Sequence, residues 1–233
     1  QCAARDVEFR FNTWAEAEDV TALNPDLVIV ATGGMPNTDV LKGGNDLVVS
    51  TWDILSGDVK PGSKVLVYDD AGDHAGLQAA EVIAQSGAEV EIMTPDRSFA
   101  PEVMGLNLTP YMRSLQKLKA TFTVTYRLTS VRRDGNRLMA VIDSDYGDLG
   151  LERDFDQIVV NHGTLPLEDL YFDLKPLWSN LGAVDHDALI NGRPQAIATN
   201  PDGQFQLFRI GDAVSARNTH AAIYDALRLV KDL

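Results

Sequence analysis

The sequence predicts an α/β fold built on parallel β-sheets, and three observations lead to this prediction. Strand-like and helix-like segments alternate along the chain, as they do when helices connect parallel strands. Residues 27–31 (LVIVA) form a continuous apolar run, which is typical of a strand buried on both faces of a parallel sheet. Residues 64–93 read as strand, helix and strand, which is the pattern of a right-handed βαβ unit.

The first part of the chain contains two predicted strands. Residues 7–11 alternate between apolar and polar side chains and predict a short strand. The strand at 27–31 ends in residues 32–37 (TGGMPN), where glycine and proline predict a turn. A linker is predicted at 57–62, where a second unit begins.

This second unit opens with the βαβ pattern. Residues 64–69 (KVLVYD) and 89–93 (EVEIM) predict strands, and 72–86 predict a helix that Gly87 caps at its carboxyl end. Spacing on one helical face predicts a further helix at 109–119. The remaining predicted strands cover 122–126, 130–133, 137–142 and 150–160, of which the middle ones suggest a small meander.

The strand that ends at residue 160 runs into residues 161–166 (NHGTLP). This turn repeats the pattern of residues 31–36, an apolar strand followed by small residues, a glycine and a proline. Residues 204–210 (QFQLFRI) predict the last strand, and residues 219–233 predict a closing helix. The weak repeat indicates two related layers in one chain.

Composition and charge exclude several classes of function. The formal net charge of −14 among 233 residues argues against nucleic acid and against an anionic membrane surface as partners. The chain has one cysteine, Cys2, so it can form no internal disulfide, no redox dithiol and no four-cysteine cluster of its own. The histidines show no metal-ligand spacing, and no metal-binding residue is predicted. We expect a cytoplasmic protein with no membrane segment.

Residues 207–213 (LFRIGDA), followed by an alanine-rich helix, resemble the second flavin fingerprint of the glutathione-reductase-like superfamily. The resemblance implies that Asp212 accepts a hydrogen bond from a ribityl hydroxyl of FAD, that Gly211 lets the backbone approach, and that Ala213 belongs to the same cofactor-binding turn. Residues 31–34 (Ala31, Thr32, Gly33, Gly34) resemble the "ATG" turn of the same superfamily.

The order of these motifs implies two Rossmann-like domains of the glutathione-reductase type. The first is split, with residues 1–56 and 183–233 forming an FAD- or ADP-type domain, and residues 57–182 form an inserted NAD(P)-type domain. The opening strand, the G-x-G-x-x-G loop and the first helix of the split domain are not in the sequence. We therefore expect an N-terminally truncated first domain.

A narrower resemblance lies in residues 68–76 (YDDAGDHAG), a lengthened phosphate loop with aspartates in place of glycines. This loop and the following region resemble the C-terminal part of the trimethylamine dehydrogenase and N-methylproline demethylase-like NADH:flavin oxidoreductases, relatives of the 2,4-dienoyl-CoA reductases. The resemblance implies an N-terminal TIM barrel that carries FMN and a 4Fe-4S cluster and belongs to the same polypeptide.

The altered loop predicts weak or absent NAD(P)H binding. A pyrophosphate binds at a helix N-terminus beside free N–H groups, at the positions of Gly72 and Gly76. Asp69, Asp70 and Asp73 place carboxylates there, and each opposes an anion unless it faces away. The alternative is that these aspartates cap the helix and favour its dipole, and we expect this role for Asp73.

Two functions remain open at this stage. In the first, the chain is the nucleotide-binding and electron-transfer region of an FMN- and iron–sulfur-dependent oxidoreductase, with an electron-transfer protein as a further partner and no catalytic residue of its own. In the second, it is a non-catalytic nucleotide-binding scaffold or docking module. A complete small NAD(P)H reductase is disfavoured, because the chain lacks both a full fingerprint and a redox dithiol. The sequence leaves a homo-oligomer open.

Overall fold

The computed structural model describes residue 5 and residues 7–231, so Cys2 lies outside the described residues. Over this part the chain forms seven α-helices: α1 Ala17–Thr21, α2 Thr51–Ser56, α3 His74–Gln85, α4 Gly105–Lys117, α5 Asp169–Leu174, α6 His186–Ile190 and α7 Thr219–Val230. It also forms twelve strands: β1 Leu27–Val30, β2 Gly34–Pro36, β3 Val49–Ser50, β4 Lys64–Asp69, β5 Glu89–Thr94, β6 Thr121–Val124, β7 Arg127–Asp134, β8 Arg137–Ser144, β9 Gly147–Phe155, β10 Gln157–Asn161, β11 Thr164–Pro166 and β12 Gln206–Arg209.

The chain divides into two units. The split unit comprises the described parts of Gln1–Met35 and Pro166–Leu233, and the inserted unit is Pro36–Leu165. These boundaries differ from the expected ones at 56/57 and 182/183. Residues 36–56 belong to the inserted unit because β3 joins its sheet, and residues 166–182 belong to the split unit because Trp178 lies in its core.

The inserted unit is built on a five-stranded parallel sheet in the order β3-β10-β4-β5-β6. The βαβ prediction is confirmed, since β4 and β5 pair in parallel and α3 connects them. Asp73 caps α3 at its amino end. Gly87 follows its carboxyl end with a φ of 92° and donates its N–H to Ala84 O at 3.1 Å. Glycine is favoured at this position because it adopts a positive φ without strain.

Alternate residues of β4 pack into two different cores. Val65 and Val67 face the helices, where they pack with Leu77 and Ile83 of α3. Leu66 and Tyr68 lie on the opposite face of the sheet, where they pack with apolar residues of β7, β8 and β9. This period-2 alternation explains why residues 65–68 of β4 are all apolar or aromatic, because both faces of a covered parallel sheet are buried.

The meander prediction is also confirmed, since β7, β8 and β9 form an antiparallel sheet in chain order. The single strand expected at 150–160 is wrong. The structure has two strands there, with β9 pairing to β8 and β10 pairing to β4. Asp156 separates them and donates its N–H to Lys64 O at 2.8 Å. Residues 151–160 contain neither glycine nor proline, so the sequence gives no sign that the chain passes from one sheet to another there.

The split unit contains a parallel pair, β1 and β12. Its core gathers around Trp178, which is fully buried and meets Tyr171 edge-to-face with ring centroids 4.8 Å apart. Asn180 links this core to the pair, because its side chain donates to Leu207 O at 2.9 Å and accepts from Leu207 N at 3.1 Å. The strand predicted at 7–11 is wrong, since those residues pair with no other described strand. A strand without a neighbour leaves its backbone hydrogen bonds unmade.

Candidate functional site

The site expected in the split unit lies at the carboxyl ends of two paired strands. The register pairs Val30 with Arg209, so β1 and β12 end side by side. The first residue past β12, Ile210, still donates its N–H to Val30 O at 3.0 Å. The two turns that resemble the flavin motifs, separated by about 180 residues of sequence, therefore begin next to each other. In parallel α/β sheets, ligands bind at this edge.

The turn after β1 is held by the segment that follows β11. Ala31 and Thr32 are exposed, and the Thr32 hydroxyl donates to Leu167 O. Gly33 has a φ of 75°, and its carbonyl accepts Leu167 N–H at 3.0 Å. Gly34 begins β2. These contacts fix the path of the backbone at the edge where a ligand would approach.

The turn after β12 is a 3-10 turn, Gly211–Ala213. Gly211 is buried with a φ of 60°, and a Cβ there would lie 3.4 Å from Ala222 of α7. Ala213 is buried, and its carbonyl accepts Arg209 Nη1 at 3.2 Å. Asp212, between them, is half-buried, so its carboxylate can meet a ligand hydroxyl. Small residues and one accessible carboxylate therefore stand together at this turn.

A cavity of about 590 Å³ opens beside the first turn. Thr13, Trp14, Thr32, Leu170 and Asp173 are among its lining residues. Its volume falls in the usual range for small-molecule sites, about 300–1,000 Å³. The Trp14 side chain is 83% exposed, so its ring is available for contact.

In the inserted unit, Gly72 and Gly76 lie at the carboxyl end of β4, as the motif requires. Gly72 has a φ of 69°, and a Cβ there would lie 2.6 Å from Pro101 Cδ. A Cβ on Gly76 would lie 2.4 Å from Asp69 Oδ2. Both glycines are thus needed for packing within the protein, whatever the loop binds.

The three aspartates of this loop have different partners. Asp73 is the N-cap of α3 and accepts Ala75 N–H at 2.9 Å, which confirms the capping role. Asp70 accepts from His162 Nδ1 at 2.8 Å. Asp69 is 2% exposed and accepts Gly72 N–H at 2.9 Å. Burial raises the pKa of Asp69 to about 6, because an ionised carboxylate loses hydration there.

The contacts of His162 and Asn161 could not be read from the sequence. Asn161 donates through Nδ2 to Asp69 and to Asp73, both at 2.9 Å. His162 is buried against Tyr68, with ring centroids 5.4 Å apart. The Tyr68 hydroxyl is buried, and burial raises its pKa. The one available signal was position, because both residues follow a buried strand at the ligand-binding edge of the sheet.

Among the described residues, no group of three His, Cys, Asp or Glu side chains could hold a metal ion. Over the same residues, no helix combines the length and the apolar character that crossing a membrane requires.

No family model matches the chain. It is 66% identical, over its whole length, to a probable N-methylproline demethylase of Rhizobium meliloti (strain 1021), of which it covers 34%. It is 44% identical to the N,N-dimethylglycine/sarcosine dehydrogenase of Chromohalobacter salexigens, of which it covers 35%. The chain is homologous to a region of the N-methylproline demethylase-like oxidoreductases. It spans about a third of the length of these relatives.

Solved structures agree on the fold. Histamine dehydrogenase from Rhizobium sp. 4-9 matches 96% of the chain with a TM-score of 0.74 at 21% identity, and the chain covers 33% of that protein. A flavoprotein disulfide reductase of Escherichia coli matches 84% with a TM-score of 0.59 at 16% identity, and the chain covers 42% of it. The fold is therefore a mixed α/β fold with a parallel sheet, of the kind found in flavoproteins.

Proposed function

We propose that this chain is the C-terminal nucleotide-binding and electron-transfer region of an FMN- and iron–sulfur-dependent oxidoreductase of the amine demethylase type. In this proposal the split unit is a Rossmann-like domain that binds FAD or ADP, and the inserted unit derives from an NAD(P)-type domain. The names of the relatives support the reaction class. The observation that carries the nucleotide site is the meeting of two motif turns at the carboxyl ends of β1 and β12.

The residues present fit an adenine dinucleotide. Gly211 has a φ of 60°, which glycine adopts without strain, and this conformation forms the turn that carries Asp212 at the end of β12. Asp212 would accept a hydroxyl of that chain, which is a charge-assisted hydrogen bond. Ala31, Thr32, Gly33 and Gly34 would form the facing wall. Bound FAD supplies reversible electron transfer, and the residues of this chain bind and orient it.

The residues do not fit a 4Fe-4S cluster. Such a cluster needs four thiolates, and the chain has one cysteine. We propose that the cluster and FMN belong to a TIM-barrel region of the same polypeptide, since the chain spans about a third of its relatives. The exposed apolar side chains of α7 support a further covering partner for the split unit, since Ile223, Leu227 and Val230 lie along one face of the helix and are more than half exposed.

The test is the nucleotide content of the purified protein and of two variants. Acid extraction followed by mass spectrometry should release FAD or ADP from the wild type, and isothermal titration should then give its affinity for the emptied site. Asp212→Ala should weaken that affinity about tenfold, since it removes a hydrogen bond to a charged acceptor. The matched control is Asp202→Ala, an exposed aspartate of the same unit.

Equal affinities for Asp212→Ala and Asp202→Ala would contradict the assignment of the turn. A protein that takes up neither FAD nor ADP would contradict the nucleotide site as a whole.

A further inference from the structure

The loop between β4 and α3 uses its own backbone donors internally. Asp70 and Ala71 donate their N–H groups to Asn161 O, at 3.2 and 3.1 Å. Gly72 N–H is taken by Asp69 Oδ1 at 2.9 Å, and Ala75 N–H by Asp73 Oδ1 at 2.9 Å. A phosphate-binding loop keeps such N–H groups free for its anion. Here four of them are already bound to acceptors of the protein.

The carboxylate of Asp69 also fills the space that an anion would need. Its Oδ2 lies over the first turn of α3, so close to Gly76 that a Cβ there would be 2.4 Å away. The other oxygen, Oδ1, accepts hydrogen bonds from Gly72 N–H and from Asn161 Nδ2, both at 2.9 Å. Thr51 donates in turn to Asn161 Oδ1 at 3.4 Å. The carboxylate therefore occupies the environment that a phosphate occupies in a phosphate-binding loop: it accepts hydrogen bonds from the loop, lies at the amino end of a helix and is buried.

We infer that the Asp69 carboxylate stands in place of a ligand phosphate, so that the inserted unit excludes dinucleotides and Asp69 determines this specificity. The inference rests on the proposed function in one respect, since that proposal places the nucleotide site of the chain in the split unit. Exclusion by an occupied site differs from exclusion by charge repulsion alone. Asp73 is also a carboxylate at this helix end, but it caps the helix without covering Gly76.

The histidines report on each unit separately. His74 is the first residue of α3 and His162 pairs with Asp70, so both monitor the loop. His186 and His220 belong to the split unit. Imidazole NMR signals of ¹⁵N-histidine-labelled protein, freed of bound nucleotide and refolded, can be followed while ADP or NADH is added to millimolar concentration. The expected result is that the His74 and His162 signals do not move.

Saturable movement of the His74 and His162 signals at micromolar nucleotide would overturn the inference. Movement of the His186 or His220 signals alone supports both proposals. If no histidine signal moves, the inference stands, and the result counts against nucleotide binding in the split unit. The two proposals can therefore fail independently.

A gain of binding tests the role of Asp69 directly. Asp69→Gly frees Gly72 N–H and the space over Gly76, so ADP should move the His74 signal with an affinity at least about tenfold above that of the wild type. Asp73→Asn is the matched control, since it removes one charge and keeps a capping side chain. Asp69→Asn removes the charge but keeps the size of the side chain. The loop of this variant should therefore still exclude ADP.

A gain of equal size in Asp73→Asn would show general repulsion and would overturn the inference, as would no gain in Asp69→Gly. The dispersion of the four histidine signals shows whether each variant is folded. If Asp69→Gly does not fold, Asp69→Ser takes its place and is judged by the same comparison.

Discussion

The two units bury their parallel strands to very different extents. In the inserted unit, helices cover one face of the five-stranded sheet and a meander covers the other, so Val65, Leu66 and Val67 are all fully buried. In the split unit, β1 and β12 form a pair, and Leu27, Val28 and Ile29 of β1 stay half-buried. Parallel sheets are stable when both faces are covered. The comparison teaches that one chain can contain one unit whose parallel strands are covered on both faces and another whose strands are only half-buried.

The largest expected effect tests how much the small core of the split unit contributes. Trp178→Ala should lower the free energy of unfolding of this unit by about 3–5 kcal/mol, because it empties a fully buried site. Hydrogen exchange read by mass spectrometry should show the loss at β1 and β12. The control in the same unit is Trp14→Ala, which should change stability by less than about 0.5 kcal/mol because Trp14 is exposed.

An equal increase in hydrogen exchange at β4 and β5 in Trp178→Ala would contradict the contrast between the units, since the stability of the inserted unit would then depend on the core of the split unit.

The next effect concerns the pH dependence of the inserted unit. Folding raises the pKa of Asp69 from 3.8 to about 6 through burial. The folded state therefore binds a proton that the unfolded state does not between these values, and stability rises as pH falls through this window. Relative to Asp69→Asn, the wild type should gain up to about 3 kcal/mol between pH 7 and pH 4. Urea denaturation at each pH measures this difference.

Asp143 provides a control of opposite sign. Backbone N–H donors from Ser144 and Leu149 lower the pKa of this carboxylate. Its contribution is present above the unfolded pKa of 3.8 and is lost as pH falls below that value, so the wild type should lose stability relative to Asp143→Asn only below about pH 4 and should show no gain between pH 7 and pH 4. The same pH dependence in both variants would contradict the assigned environment of Asp69.

The smallest expected change in stability tests whether Gly76 is needed to make room for the Asp69 carboxylate. Gly76→Ala places a Cβ against the Asp69 carboxylate and should cost about 1–3 kcal/mol by thermal or urea unfolding. Gly105→Ala is the matched control, because Gly105 also lies in a first helical turn, has open space around it and should be neutral or stabilised by up to about 1 kcal/mol. In an Asp69→Gly background the cost of Gly76→Ala should largely disappear. Equal costs in both backgrounds would show that the clash is with another group.

The sequence predicted the inserted unit well where the pattern is local. β4 has the predicted bounds, and α3 with its Asp73 cap and Gly87 follows from apolar spacing and capping chemistry. The strand expected at 7–11 failed because strand formation depends on a neighbour, which alternation alone does not reveal. The closed loop was only partly predicted. The aspartates suggested exclusion of an anion, but the bonds from Asn161 to Asp69 and Asp73 join residues far apart in sequence.

The position of β10 has a consequence for how the protein is made. This strand lies between β3 and β4 in the sheet but is the last of the five to leave the ribosome. Until then β4 presents an open edge, and the Asp69 loop lacks its asparagine partner. Contacts of such long sequence separation form slowly and leave the nascent chain prone to association. The strand that carries Asn161 thus both closes the loop and completes the sheet, so a chain released before β10 would have neither the closed loop nor the complete sheet.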